Sequence, residues 1–158
     1  MNITPDVLVF TDGAAKGNPG PGGYGIIMQK YNTNYIKEFS KGYRRTTNNR
    51  MELLAVIVAL EQLKHPNLKI LVFSDSKYVV DAVEKGWVFN WFKKGFKGKK
   101  NPDLWKRYLK ASKQHTVKFQ WIKGHNNHPQ NERCDQLAVE ASLGQNLTID
   151  HGYENSIT

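Results

Sequence analysis

Four acids stand where acids are uncommon. Asp12 closes the apolar run Val7-Leu8-Val9-Phe10, and Asp75 closes a second run, "KILVFSD". Glu52 is the one residue between Met51 and Leu60 that is not apolar. Asp135 is expected in the first turn of a last helix, "NERCDQLAVEASLG". Each has an ordinary structural use. Asp12 can close an Asx-turn. Asn49-x-x-Glu52 fits a capping box. Asp75 can cap the helix that follows it, and Asp135 can complement a helix dipole. Taken jointly, that account is strained by two acids at strand ends. In open α/β sheets, sites form beyond the carboxyl ends of strands. If the two strands are parallel neighbours, Asp12 and Asp75 lie side by side. Crowded carboxylates repel unless they are protonated or bridged by cations.

Hard divalent ions answer that repulsion. Mg²⁺ takes oxygen ligands and keeps several waters, so a few carboxylates plus a substrate phosphate suffice to hold it. A pair of such ions roughly 4 Å apart clamps the attacking and leaving oxygens of a phosphoryl displacement. Zinc is not indicated, because Cys134 stands alone and no His/Cys set has ligand spacing. The stretch "FTDGAAKGNPGPGGYG" packs six glycines into sixteen residues but lacks Gly-x-x-x-x-Gly-Lys-Ser/Thr, so it is no nucleotide-cradling P-loop.

The distribution of charge names a partner for such chemistry. Residues 93–113 hold nine Lys/Arg and one acid, a charge of +8; the other 137 residues contribute only +1 of the total +9. A basic protrusion on a near-neutral body is the footprint of a polyanion-binding protein. A solvated charged face is the plain alternative. Interleaved Trp91, Phe92, Phe96, Trp105 and Tyr108 favour nucleic acid, since aromatics beside cations pack on sugars or bases. Carboxylates plus a basic arm read as a metal-dependent nuclease.

The elements that must position these residues follow from pattern. Residues 6–12, "GGYGIIMQK" and "YIKEFSKGY" read as three strands, the last two joined by a turn at "YNTN". "NNRMELLAVIVALEQLK" is a buried helix that Asn48 or Asn49 can cap. A central strand ending at Asp75, a helix closed by Gly86, helical stretches on both sides of the basic loop, the strand "TVKFQWI" and a last helix ending at Gly144 complete the order βββαβα(α)αβα. That is an α/β chain with a five-stranded mixed sheet flanked by helices. At 158 residues it is expected to form one domain over 1–158, with a core of about 6–144. Residues 145–158 show no strong pattern and are expected to be a loosely attached tail. No apolar run is long enough for a membrane span. "MNITPDVLVF" lacks the basic and apolar regions of a signal peptide, so the Asn146 glycosylation match is accidental. One cysteine excludes an internal disulfide and points to the reducing cytoplasm.

The motifs then become specific. "FTDGAAKGNPGPGGYG", "RRTTNNRMELLA", "FSDSKYV", "NPDLWKR" and "WIKGHNNHPQNERCDQLA" together resemble a bacterial type 1 ribonuclease H, in order and with compatible spacing from about residue 6 to 144. The resemblance implies the ribonuclease H-like fold and endonucleolytic hydrolysis of the RNA strand of RNA–DNA hybrids, leaving 3′-hydroxyl and 5′-phosphate ends. It implies Mg²⁺, with Mn²⁺ as the alternative, and two ions when substrate is bound. Asp12, Glu52, Asp75 and Asp135 match the family's metal-binding acids. Within that reading, Glu52 also contacts the ribose 2′-hydroxyl. His125 matches its loop histidine, suited to proton transfer or product release; His128 receives no role. Asn18, Asn48 and Asn49 match residues that read the hybrid's minor groove, where 2′-hydroxyls mark RNA. Gly13 is expected to offer its backbone. Arg45 and Thr47 match a pocket for a phosphate of the DNA strand. Trp87 with Lys93, Lys94, Lys97, Lys99 and Lys100 matches the basic handle that grips DNA backbone.

The sequence departs from the family in three places. The handle is shorter than in well-known relatives, which implies a weaker grip. Lys77 stands where relatives often carry a neutral polar residue, and is expected to add a phosphate contact or face solvent. Ala14 and Ala15 replace small polar residues where backbone contacts are expected. Two other functions share these features: a non-catalytic hybrid- or duplex-binding module, and a DNA nuclease of the same superfamily. The four acids argue against the first, and the Asn48-Asn49 pair with the handle against the second. No interface motif argues for an oligomer, so a monomer is expected.

Overall fold

The computed structural model of the chain describes residues 4–124 and 128–157. Five strands form one mixed sheet: β1 (Val7–Ala15), β2 (Gly20–Lys30), β3 (Ile36–Thr46), β4 (Lys69–Ser74) and β5 (Thr116–Trp121). Their order across the sheet is β3-β2-β1-β4-β5. The β1–β2 and β2–β3 pairs are antiparallel, and β1–β4 and β4–β5 are parallel. Helices are α1 (Asn48–Glu61), α2 (Lys77–Glu84), α3 (Trp87–Lys93), α4 (Pro102–Ser112), α5 (Pro129–Ser142) and α6 (His151–Ser156). None is long and apolar enough to cross a membrane. The expected element order is observed, with α6 added at its end.

Alternation along β1 divides the core. Val9 joins Ile26, Leu53 and Ile57 on the α1 side, while Phe10 joins Ile27 and Cys134 on the α5 side. Burying one Leu or Ile side chain contributes about 1.5–3 kcal/mol, so the eight buried apolar residues of α1 anchor the domain. On the opposite face α5 crosses β2 very closely. A Cβ on Gly25 would collide with the Cys134 carbonyl, so only glycine admits the helix there.

Four local expectations are corrected. Helix α1 is capped by Thr47, whose hydroxyl accepts from the Arg50 N–H at 3.2 Å, and not by Asn48 or Asn49. No capping box forms, because both asparagines lie inside the first turn. Helix α2 is capped by Ser76 instead of Asp75. Helix α5 begins at Pro129, so Asp135 lies in its second turn instead of its first.

The chain beyond residue 144 is also not loose. The Thr148 N–H donates to Gly42, and the Arg44 N–H donates to Thr148, extending the edge of β3. Asp150 is buried and accepts from Thr46 Oγ1 and from two guanidinium nitrogens of Arg50. Arg44 and Glu154 form a two-pronged ion pair. The sequence carried no periodic signal for this because polar pairs, not an apolar face, attach the segment.

Candidate active site

Register brings the acids together. Phe10 is opposite Phe73 in the parallel β1–β4 pair. Asp12 and Asp75 each follow two residues later, at matched positions where that pairing ends. β1 nevertheless continues against β2 to Ala15, with Asp12 opposite Gly25. Asp12 therefore lies inside its strand, held at a level that β4 has already left. Gly13 lets α1 come close, because a Cβ there would strike the Met51–Glu52 backbone. Glu52 thus arrives from α1 beside Asp12.

One oxygen each from Asp12, Glu52 and Asp75 lies within 4.8 Å of the others. Asp12 is 7% exposed. Glu52 keeps some exposed surface as a residue, but its Oε1 is shut off from solvent and has no hydrogen-bond partner. The charges strain one another. Burial, then the charges of Asp75 and Asp135, push the Asp12 carboxyl up from 3.8 to about 8. Burial, then Asp12 and Asp75, hold Glu52 well above the ordinary carboxylate range. Asp135 stands outside the tight group of three but acts on Asp12 from α5. A partnerless buried oxygen among crowded carboxylates is what a hard, oxygen-seeking divalent cation satisfies. The donor set fits such a metal.

Phe10 and Phe73 stack at 4.8 Å below the acids, and the His128 ring tilts against both. His128 also caps α5, its Nδ1 accepting from the Asn131 N–H. His125 lies outside the described residues.

Two of the three predicted groove-reading residues, Asn18 and Asn48, are bound to each other. Asn18 Oδ1 accepts from the Asn48 N–H at 2.9 Å, while Asn48 Oδ1 accepts from the Ala15 N–H. The loop after β1 is thereby pinned to the start of α1. With both carbonyl oxygens engaged internally, the two Nδ2 groups remain as donors. Minor-groove edges and 2′-hydroxyls offer the matching acceptors. Asn49 and Arg45 are exposed, and Thr47 is half-buried by its capping role. The Gly13 N–H donates to Asp12 Oδ1, which orients that carboxylate.

Trp121 borders the candidate site, although no motif in the sequence marks it. Its indole N–H donates to the Asp75 carbonyl at 3.1 Å, and Lys77 Nζ sits 4.6 Å above its ring. Its signal was the end of β5, level with Ser74 on β4. The basic segment is sorted differently from the expectation. Phe96, Trp105 and Tyr108 are core residues, and Trp91 packs edge-on against Trp105. Trp87, Phe89 and Phe92 are the exposed aromatics there. Trp87, Asn90, Trp91, Lys94, Lys97 and Lys99 line a cleft of about 360 Å³, while Lys93 and Lys100 are exposed beside it.

The family model for RNase H matches residues 4–143. The chain belongs to the ribonuclease H family. It is 54% identical over 157 residues to the ribonuclease H of Lachnoclostridium phytofermentans, covering 94% of this chain and 99% of that one. Among solved structures it is similar to LC9-RNase H1, a type 1 RNase H with the type 2 active-site motif, at TM-score 0.79 and 32% identity, covering 100% of this chain and 83% of that one. It is also similar to LC11-RNase H1, solved in complex with an RNA/DNA hybrid, at TM-score 0.66 and 28% identity, with coverage of 85% and 95%. The fold of this ribonuclease H family member is thus shared with its relatives, and its enzyme class is that of a hydrolase acting on nucleic acid.

Proposed function

We propose that this ribonuclease H hydrolyses the RNA strand of RNA–DNA hybrids, leaving 3′-hydroxyl and 5′-phosphate ends. The observation that carries the reading is the carboxylate cluster with its partnerless oxygen, set in a family member beside a basic arm. Asp12, Glu52, Asp75 and Asp135 would hold two divalent ions, Mg²⁺ or Mn²⁺, which when bound neutralise phosphate charge and lower the pKa of water. Asp12 is aimed by the Gly13 N–H, and Asp75 is steadied through its carbonyl by Trp121. His125 serves proton transfer or product release. Asn18, Asn48 and Asn49 donate into the minor groove and sense 2′-hydroxyls. Arg45 and Thr47 take a DNA-strand phosphate, as Lys77 takes a phosphate near Asp75. Trp87 and Lys93, Lys94, Lys97, Lys99 and Lys100 hold backbone further along. The protein acts as a monomer in the cytoplasm, with residues 1–158 forming one domain.

The purified protein is tested on a labelled RNA–DNA hybrid, an RNA duplex and a DNA duplex, each in Mg²⁺ and in EDTA. Cleavage of the RNA strand of the hybrid alone, and only with metal, is expected. Binding without cleavage would identify a non-catalytic module, and cutting of the DNA duplex a DNA nuclease.

A further inference from the structure

A second, larger cavity of about 720 Å³ has Asn18 and Asn49 in its lining and none of the four acids. Its lining includes Asn18, Thr47 and Asn49, Lys99 and Lys100, and Tyr153, Ser156 and Ile157 of the C-terminal segment. We propose that the C-terminal helix α6 is the outer wall of a backbone track that holds the DNA strand of the bound hybrid. The proposal rests on the function proposed above.

Three observations carry it. First, the cavity neighbours the cleft of the basic segment, because Lys99 lines both. A strand leaving Asn18 and Thr47 meets Lys99 and Lys100 on its way toward that cleft. Second, the walls suit a phosphate. The acids nearby, Asp103 and Asp150, are engaged by Arg50, whereas Lys99 and Lys100 have no ion pair among the described residues. Third, α6 is seated firmly enough to act as a wall. A Cβ on Gly152 would strike Asp103 and the Arg50 guanidinium, so the helix lies directly against that ion network.

The strand is identified by position. The acids take the RNA strand, since that strand is cut. The asparagines face the groove between the strands, so the backbone reached beyond them is that of the DNA. The family model ends at residue 143, before this wall begins.

The test uses Ile157, which is 52% exposed and lies at the rim. Ile157→Glu and Ile157→Lys are compared with wild type, each also carrying Asp12→Asn so that binding is read without cleavage. Hybrid affinity is measured by fluorescence anisotropy over a salt series. Ile157→Glu should weaken binding at least about threefold, and Ile157→Lys should tighten it. The salt slope should steepen by up to about 0.9 for the lysine variant, as one more counterion is released. Neutral methylphosphonates in the DNA strand should abolish the difference between the variants, while the same change in the RNA strand should not. Identical affinities and slopes for the two Ile157 variants would overturn the track. Sensitivity to RNA-strand neutralisation instead would overturn the strand assignment. Failure of the protein without substitutions to cut hybrid in Mg²⁺ would count against the proposed function, independently of these results.

Discussion

Arg50 and Glu52 stand two residues apart on the same helix, and their charges meet opposite fates. Arg50 is almost fully buried, yet Nε, Nη1 and Nη2 all donate to Asp150, Asp103 or Asn101. Burial disfavours its charge, but the bonds to Asp103 and Asp150 outweigh that and hold the guanidinium above its ordinary value. Glu52 meets two more carboxylates and keeps an oxygen without a partner. One charge is completed by the protein and ties α1, α4 and the C-terminal segment together. The other is left incomplete and is answered only by something the protein must bind. A buried charge with all its partners is architecture, and one lacking them at a strand end is a site.

That contrast can be broken from either side. Arg50→Met strips Asp150 of its cation and should cost about 3–5 kcal/mol of stability, read as a lower urea midpoint. A loss under about 1 kcal/mol would show that the network is decorative. Asp12→Asn should reduce hybrid cleavage by at least about 10²–10³-fold, the scale for removing one preorganised electrostatic group from a reaction centre. Hybrid binding should survive it. In EDTA the same substitution should stabilise the protein by about 0.5–2 kcal/mol, because it removes repulsion kept for function. An equal loss of stability for Arg50→Met and Asp12→Asn would erase the distinction between the two regions.

The pH dependence has a definite sign. Asp12 titrates near 3.8 when unfolded and at about 8 in the metal-free fold. Between those values the folded protein holds a proton that the unfolded chain has lost. This contribution is complete below about pH 4 and fades as pH rises toward 8. Thermal denaturation in EDTA should show Asp12→Asn gaining on wild type over that window, and a constant difference would contradict the assignment. The lysines of the basic segment meet neither kind of constraint. Neutralising Lys93, Lys94, Lys97, Lys99 and Lys100 should leave stability within about 0.5 kcal/mol while raising KM and flattening the salt dependence of binding.

The two regions also differed in how far the sequence exposed them. Asp12 and Asp75 were legible because each closes an apolar run, and Glu52 because it interrupts one. The mixed sheet followed from the same runs. Arg50 was not legible: its partners lie 53 and 100 residues away, and no local period links them. Helix α6 has no sequence signal for a related reason, since its six residues have no apolar face and it is held by Asp150 and Glu154. Trp121 became visible only once β5 was placed beside β4. The Thr47 cap shows a neighbouring residue taking a role assigned to Asn48 or Asn49, because all three are competent at the start of a helix.

If the strained carboxylates form a divalent-metal site, their protons must leave for the ion to enter. Calorimetric titration with Mg²⁺ at pH 7, repeated in buffers of different ionisation enthalpy, tests it directly. Proton release is expected on Mg²⁺ binding to wild type, since Asp12 is largely protonated at that pH. Weaker binding and diminished release are expected for Asp12→Asn. Mg²⁺ binding of equal strength in both proteins, with no buffer dependence in either, would contradict it.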